Sequence, residues 1–349
     1  MNVLVVAAAK NKLLGDLTSR LSRAGLICET IELSQGQPRG RLMSWLNTIR
    51  DVIRGSALSL NKRKDIVSFH FFSAPAALIA IIISVFGVPF SIHFWGSDYK
   101  YWRMKKSGVL HWLFMYLVRQ AQFITFSNAS VMADFEVKYK GARRTVLVRF
   151  GLDVLGSIDN LIEGGHGPAE PVRVVVGTNA SPLQQHLEII DEIENINSRL
   201  LSKMFFIFPL SYGSEEQAFK VVKRLEQTQL NYKISSSFIS GGELAKFRAE
   251  TDILIQLQKS DAMSAAMLES LYAGAKVITG TWLPYDELRA KGVDWFEIDK
   301  ISDLGAELER VLDARVSSNI NKKIVNDICG WDAVMPRWTD LYYVFVNTT

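Results

Sequence analysis

Between Lys259 and Glu269 the chain reads Lys-Ser-Asp-Ala-Met-Ser-Ala-Ala-Met-Leu-Glu, and its small residues at 262, 264, 265 and 266 let a ligand approach the backbone closely. Ser264 is placed to cap the helix that Ala265 opens, and free amides at a helix N-terminus suit a phosphate. Glu269 follows one to two turns later, where a carboxylate can accept both hydroxyls of a ribose. The same residues also read as an ordinary capped helix with a Glu on its solvent face. Elsewhere, Asp65 to His70 ends one apolar run and Ser91 to Asp98 ends another, so that His70 and His93 stand at strand termini. His93 and Asp98, separated by a tight turn at Gly96, can face a cleft as proton acceptor or sugar ligand. The competing reading is a structural histidine.

These groups need a scaffold, and the chain supplies one by alternation. In the first half, short β-branched runs (Val3 to Ala8, Ile66 to Phe72, Phe90 to Phe94, Phe123 to Phe126, Val146 to Phe150) alternate with helical stretches such as Leu13 to Ala24 and Ala74 to Val85. Fully apolar strands separated by helices point to a parallel sheet covered on both faces. After a polar, Gly-rich stretch from Glu163 to Pro168, the alternation restarts with strands at Val172 to Val176, Met204 to Phe208, Asn231 to Ser235, Ile253 to Gln256 and Lys276 to Thr279. The fold class is therefore α/β, with two Rossmann-like doubly wound domains facing a central cleft, where ligands bind beyond the carboxyl ends of the strands. The expected boundaries are 1–160, a linker at 161–169, 170–328, and an aromatic C-terminal helix at 329–349. That helix, with Trp331, Val334, Trp338, Leu341, Tyr342 and Phe345, is expected to cross back onto the first domain.

Composition narrows the partners. Of 349 residues, 48% are hydrophobic and 22% charged, which suits a globular chain and excludes collagen-like, coiled-coil and wholly disordered classes. The net charge of +4 conceals a division at Phe150: residues 1–150 hold 21 Lys and Arg against 8 Asp and Glu, and the remainder hold 19 against 28. A first half at +13 and a second at −9 suggest an anionic partner for the first. Tyr99 to Tyr116, including Trp102, Arg103, Lys105 and Lys106, mixes interfacial aromatics with cations, as does Trp45 to Arg54 with Lys62 to Lys64. Such surfaces bind anionic headgroups, and no nucleic-acid-binding motif accompanies the charge. Ile66 to Ser97 lacks any charged residue, but Pro75 and the Gly87-Val88-Pro89 turn leave it short of the ~20 residues of a spanning helix. Cys28 and Cys329 have neither metal-ligand nor disulfide spacing, and the first residues read as a buried strand, so a reducing, cytoplasmic setting is expected.

Together, the Asp65-Ile66-Val67 strand, the Ser73-Ala74-Pro75 helix start, His93 to Asp98, Gly151-Leu152-Asp153, Asp261 with Glu269 before Ala273-Gly274, and the helix at Trp331 resemble a GT-B glycosyltransferase. The resemblance is to the family 4 type of bacterial exopolysaccharide and O-antigen assembly. It implies a nucleotide-sugar donor, with Glu269 on the ribose and Asp261 near the donor sugar or phosphate. In this chain the first acid is Asp where the family more often has Glu, and the family's basic grip on the diphosphate is replaced by Gly177 to Ser181, Gln185-His186 and Pro209 to Gly213. In that respect the chain is similar to the amino-fucose (Fuc4NAc) transferases of enterobacterial common antigen synthesis. Thr178, Asn179 and Ser181 follow a strand and precede a helix, so hydroxyls and amides there can bind phosphates without a cation. Tyr212 belongs to the same donor-side set, and Lys259 is the remaining candidate to neutralise the leaving diphosphate.

The resemblance further implies no cofactor and no bound metal, and no Asp-x-Asp pair stands near a strand end. The implied partners are a lipid-linked glycan acceptor and the anionic inner face of the cell membrane, with the protein held there peripherally. Rival readings are a nucleotide-sugar epimerase of the same architecture and a non-catalytic binding protein. A nicotinamide dehydrogenase is disfavoured, because neither half opens with Gly-x-Gly-x-x-Gly after its first strand.

Overall fold

The computed structural model describes residues 1–7, 12–33, 41–61, 64–104, 108–162 and 170–348. It divides into two compact units, 1–151 with 331–349 and 152–330.

The first unit runs β1 (Asn2–Ala7), α1 (Lys12–Arg23), β2 (Ile27–Glu32), α2 (Arg41–Ser59), β3 (Ile66–His70), α3 (Ala74–Val85), β4 (Phe90–Phe94), α4 (Ser97–Arg103), α5 (Val109–Gln120), β5 (Ile124–Phe126), α6 (Ala129–Lys138) and β6 (Thr145–Leu147). Its six strands are all parallel, in the order β2-β1-β3-β4-β5-β6. Val3 to Ala7, β3 and β4 are buried throughout, as a sheet covered on both faces requires. One face packs on α3, α5 and α6 through Phe69, Phe94, Phe114, Phe126 and Phe135.

The other face is closed by the chain's last helix. The second unit contributes α7 (Leu155–Ile162), β7 (Val172–Val176), α8 (His186–Glu194), α9 (Ser198–Leu201), β8 (Met204–Pro209), α10 (Glu215–Leu225), β9 (Tyr232–Ser235), α11 (Gly241–Ala249), β10 (Ile253–Gln256), α12 (Ala265–Ala273), β11 (Lys276–Gly280), α13 (Asp286–Ala290), β12 (Phe296–Ile298), α14 (Leu304–Asp313) and α15 (Ser318–Cys329) before α16 (Trp331–Thr348) returns to the first. In α16, Trp331, Val334, Trp338, Leu341 and Tyr342 are buried with Val3, Val5, Leu14, Leu17 and Leu21. Trp338 Nε1 donates to the Arg149 carbonyl at 2.8 Å, Tyr343 Oη donates to the Ala24 carbonyl at 2.7 Å, and Tyr342 Oη and Ser68 Oγ lie 3.0 Å apart.

The second sheet is also parallel throughout, in the order β12-β11-β10-β7-β8-β9. Reading outward from β7, this is the doubly wound dinucleotide order, whose direction reverses between β7 and β10. The residues after those two strands therefore flank the topological switch point. The unit begins earlier than the expected boundary near 160, because α7 buries Leu155 and Ile158 in the core that holds α11 and α12. The expected linker falls largely at 163–169, outside the described residues.

Candidate functional site

At the carboxyl edge of the second sheet a cavity of about 190 Å³ is lined from several elements: Thr178 after β7, Pro209, Ser211 and Tyr212 at the end of β8, and Ser235, Ser237, Phe238 and Ile239 around the end of β9. Leu244, Phe247 and Arg248 of α11 and Ala265, Ala266 and Glu269 of α12 complete it. The alanines follow from the small-residue run noted above, and Ser264 caps α12 by accepting from the Met267 amide at 3.2 Å. This leaves the helix N-terminus beside a wall without bulk, the arrangement that favours an anion.

Glu269 enters the cavity already held. Arg248 Nε lies 3.0 Å from Glu269 Oε2, with only 9% and 10% of the two side chains exposed. A carboxylate in that setting needs a partner for its charge, and Arg248 supplies it while fixing the carboxylate plane. The sequence reading missed Arg248. A signal was present: Leu244, Ala245 and Arg248 share one face of α11, and an Arg on an apolar face implies a buried counter-charge.

The turn after β7 is built by its own side chains. Asn179 Oδ1 accepts from the Ser181 amide at 2.8 Å, Ser181 Oγ from the Leu183 amide at 3.2 Å, and Gln184 Oε1 from the Thr178 amide at 3.2 Å. Of the three residues expected to bind phosphate, Thr178 lines the cavity, while Asn179 and Ser181 shape the turn. The Ala180 amide donates to the Tyr212 carbonyl at 2.7 Å, which ties this turn to the one after β8. Gly213 is required there: its φ is +120°, and a Cβ would sit 2.7 Å from the Ala180 carbonyl carbon. Tyr212 and Phe238 stand at the cavity with rings 6.2 Å apart, and both are more than half exposed.

Asp261 and Lys259 sit elsewhere than expected. Asp261 Oδ2 accepts from Tyr285 Oη at 2.5 Å. Burial raises its carboxyl above the usual range, against the opposing pull of Tyr285, the Ala262 amide, Gln258 and the Ser264 amide. These contacts hold the loop that leads into α12, and Asp261 is not among the residues lining the cavity. Lys259 is half-exposed, its Nζ 3.5 Å from Glu188 Oε1, and it too lies outside the lining. The cation that the cavity holds is Arg248.

In the first unit the expected proton acceptors are occupied. His93 is fully buried, with Nε2 2.9 Å from Ser91 Oγ and Nδ1 2.8 Å from Thr125 Oγ1. Its ring stacks on His70 with centroids 4.1 Å apart. Burial, and then the neighbouring His70, hold the His93 pKa well below that of a free imidazole. A cleft-facing base at 93 is thereby corrected to a neutral, internally bonded imidazole. Asp98 likewise gathers four backbone amides, from Phe72 at 3.1 Å, Trp95 at 3.0 Å, Gly96 at 2.9 Å and Tyr99 at 3.0 Å. Its carboxylate joins the loops after β3 and β4.

The expected membrane-facing residues part company in the same way. Trp102 is buried, donates from Nε1 to the Phe72 carbonyl at 2.7 Å and stacks on Phe114, so it is a core residue. Arg103 is half-exposed and pairs with Asp134 at 3.2 Å. Lys105 and Lys106 lie outside the described residues. Among the described residues no group of three His, Cys, Asp or Glu could hold a metal ion, and no helix is long and apolar enough to cross a membrane.

No family model matches this chain, and no curated protein matches it. Solved structures do. Sucrose-phosphate synthase from Thermosynechococcus elongatus aligns with a TM-score of 0.76 at 10% identity, covering 100% of both chains. A UDP-forming α,α-trehalose-phosphate synthase from Burkholderia vietnamiensis aligns at 0.72 and 9% identity, again over 100% of both. Anabaena Alr3699/HepE, solved in complex with UDP and glucose, aligns at 0.70 and 14% identity over 100% of both. At such identities the likeness is one of fold: these are GT-B glycosyltransferases, and this chain has the two-domain α/β GT-B fold.

Proposed function

We propose that the chain is a glycosyltransferase that moves a sugar from a nucleotide-sugar donor to a lipid-linked or growing polysaccharide acceptor. The observation that carries this reading is the Glu269 carboxylate, presented in the cavity one turn inside the N-terminus of α12 and fixed there by Arg248. A carboxylate at that depth suits the two hydroxyls of a ribose, and the helix amides above it suit the attached diphosphate. Tyr212 and Phe238 offer rings on which a base can stack. HepE was solved with UDP and with UDP-glucose, which supports a donor of this class.

The chemistry follows from that placement. Breaking the bond between sugar and diphosphate leaves negative charge on the departing phosphate, and amides aimed at it from α12 stabilise the charge as it develops. The transfer is of a hexosyl or deoxyhexosyl group and needs no metal in this reading. The finer likeness to amino-fucose transferases rests on Gly177 to Ser181 and Pro209 to Gly213. The first half, residues 1–150 at +13, is assigned the acceptor side and a peripheral place at the cytoplasmic face of the membrane.

One observation favours a second reading, that of a nucleotide-binding protein without turnover. His93, Asp98 and Asp261 are all engaged in internal hydrogen bonds. Incubation with a panel of nucleotide sugars and a membrane-lipid extract separates the two. Release of nucleoside diphosphate that depends on the extract supports transfer, whereas binding without release supports the second reading.

A further inference from the structure

Helix α2 departs from the usual rule that the apolar stripe faces the core, and α3 and α5, which bury apolar residues as that rule expects, expose further apolar side chains beside it. In α2 the buried residues are Asp51, Gly55, Ser56 and Ser59, with Val52 and Leu58 partly buried against the core, while Leu46, Ile49 and Ile53 are exposed. The inversion has a steric cause: a Cβ at Gly55 would sit 2.5 Å from Ile79 Cδ1, so α2 and α3 meet through small residues and the bulky ones turn outward. Helix α3 contains no charged residue and exposes Leu78 and Val85, with Phe86 at its end. Helix α5 exposes Val109, Leu110 and Trp112, and Trp112 stacks with Tyr116. Phe86 and Trp112 are each 67% exposed and Ile53 is 65% exposed, and what sets them apart is that such side chains recur on three helices that pack side by side.

The exposed charges on this face are cationic. Arg50, Arg54 and Arg119 are exposed, and Asp51, the only acid in the three helices, is 6% exposed and lies 3.5 Å from the Arg50 guanidinium. Helices α2 and α3 pack together, and α3 packs on α5, so the face is continuous. A second copy of the chain would set cation against cation. A bilayer with anionic headgroups complements both the charge and the apolar surface, and Trp and Tyr favour that boundary.

We propose that the outer face of α2, α3 and α5 docks on an anionic phospholipid bilayer. Ile53, Phe86 and Trp112 enter the interface, and Arg50, Arg54 and Arg119 meet headgroup phosphates. The helices lie on the surface, since none among the described residues could span it. This face shares Trp112 and the run ending at Arg54 with the basic, aromatic surface expected from the sequence and leaves out the buried Trp102, and its purpose, though not its test, rests on the membrane-borne acceptor proposed above.

The test is co-sedimentation of the full chain with vesicles of phosphatidylcholine alone or with phosphatidylglycerol, without donor or acceptor. The expected result is binding to the anionic vesicles that weakens with added salt and falls about fivefold for each of Arg50→Glu and Arg54→Glu. The triple change Ile53→Ser, Phe86→Ser and Trp112→Ser should weaken it by at least about tenfold while the circular-dichroism melt stays unchanged, because the side chains are exposed. Glu269→Gln should bind vesicles as wild type does, so failure of the donor site and failure of this face are read separately. Equal binding to neutral and anionic vesicles, or no effect of these changes, would overturn the proposal. A dimer broken by the same substitutions would also overturn it and assign the face to a second copy.

Discussion

Arg248 and Glu269 form a buried ion pair 21 positions apart in sequence, with Nε 3.0 Å from Oε2, inside a cavity that gathers the ends of β7, β8 and β9 with α11 and α12. The pair couples the stability of the second unit to the state of its candidate ribose ligand.

Removing one partner strands the other charge away from water. Arg248→Met should therefore destabilise the protein by about 3 to 5 kcal/mol, and the double change Arg248→Met/Glu269→Met should recover most of that loss. Urea unfolding of the two single variants and the double variant gives the coupling directly, and additive losses would show that the pair is not an energetic unit.

Three buried histidines make stability depend on pH. His70 is lowered to about 3 and His186 to about 4, in each case chiefly by burial, and His93 is lowered by burial and its neighbour. Below an ordinary imidazole pKa the unfolded chain binds protons that the folded chain does not, so stability is lost as pH falls. The loss sets in below about 6.5 and continues toward about 4, at up to roughly 1.4 kcal/mol per pH unit for each histidine. Burial raises Asp98 and Asp261, which act in the opposite sense near their own range and soften the lower end of the curve. Urea midpoints between pH 7 and pH 5 should fall monotonically, and His70→Phe should flatten the slope. A flat wild-type profile would contradict buried neutral imidazoles.

Asp98 tests the difference between a base and a loop anchor. Asp98→Ala leaves four backbone donors without their acceptor and should cost about 3 kcal/mol or more, whereas Asp98→Asn keeps one oxygen and should cost less. A proton acceptor would behave otherwise: Asp98→Asn would keep wild-type stability and lose turnover.

Trp102 and Arg103 should separate sharply despite being neighbours. Trp102→Ala empties a core site and should cost about 3 to 5 kcal/mol, while Arg103→Ala loses an exposed pair worth less than about 1 kcal/mol. Thermal melts of both variants suffice, and similar losses would contradict the buried placement of Trp102.

Much of the fold was legible because most strands lie in sheet interiors and read as short apolar runs. The exceptions were β2 and β12, which are edge strands. In β2, Glu29, Thr30 and Glu32 are exposed, so it lacks the apolar signal of its neighbours. The small-residue run at 262–266 and Glu269 announced their side of the cavity, since close approach and capping are local properties. His93 was misread for a reason of the same kind. A strand buried on both faces has no period-two signal to show which way a polar side chain turns, and only the register with Ser91 and Thr125 reveals that its nitrogens are occupied. The spacing of Leu244, Ala245 and Arg248 placed an Arg on the apolar face of α11 without naming its partner, whereas the small-residue contact of α2 with α3 depends on packing between helices, which neither spacing nor composition reports.

The cavity beside Glu269 is proposed to hold the nucleotide of an activated sugar. Calorimetric titration of the wild type and Glu269→Gln with UDP and the other nucleoside diphosphates tests it most directly. At least one of them should bind the wild type saturably, with affinity weakened roughly tenfold or more in a folded Glu269→Gln variant. Equal affinity in the two proteins, or no binding by any nucleoside diphosphate, would contradict it.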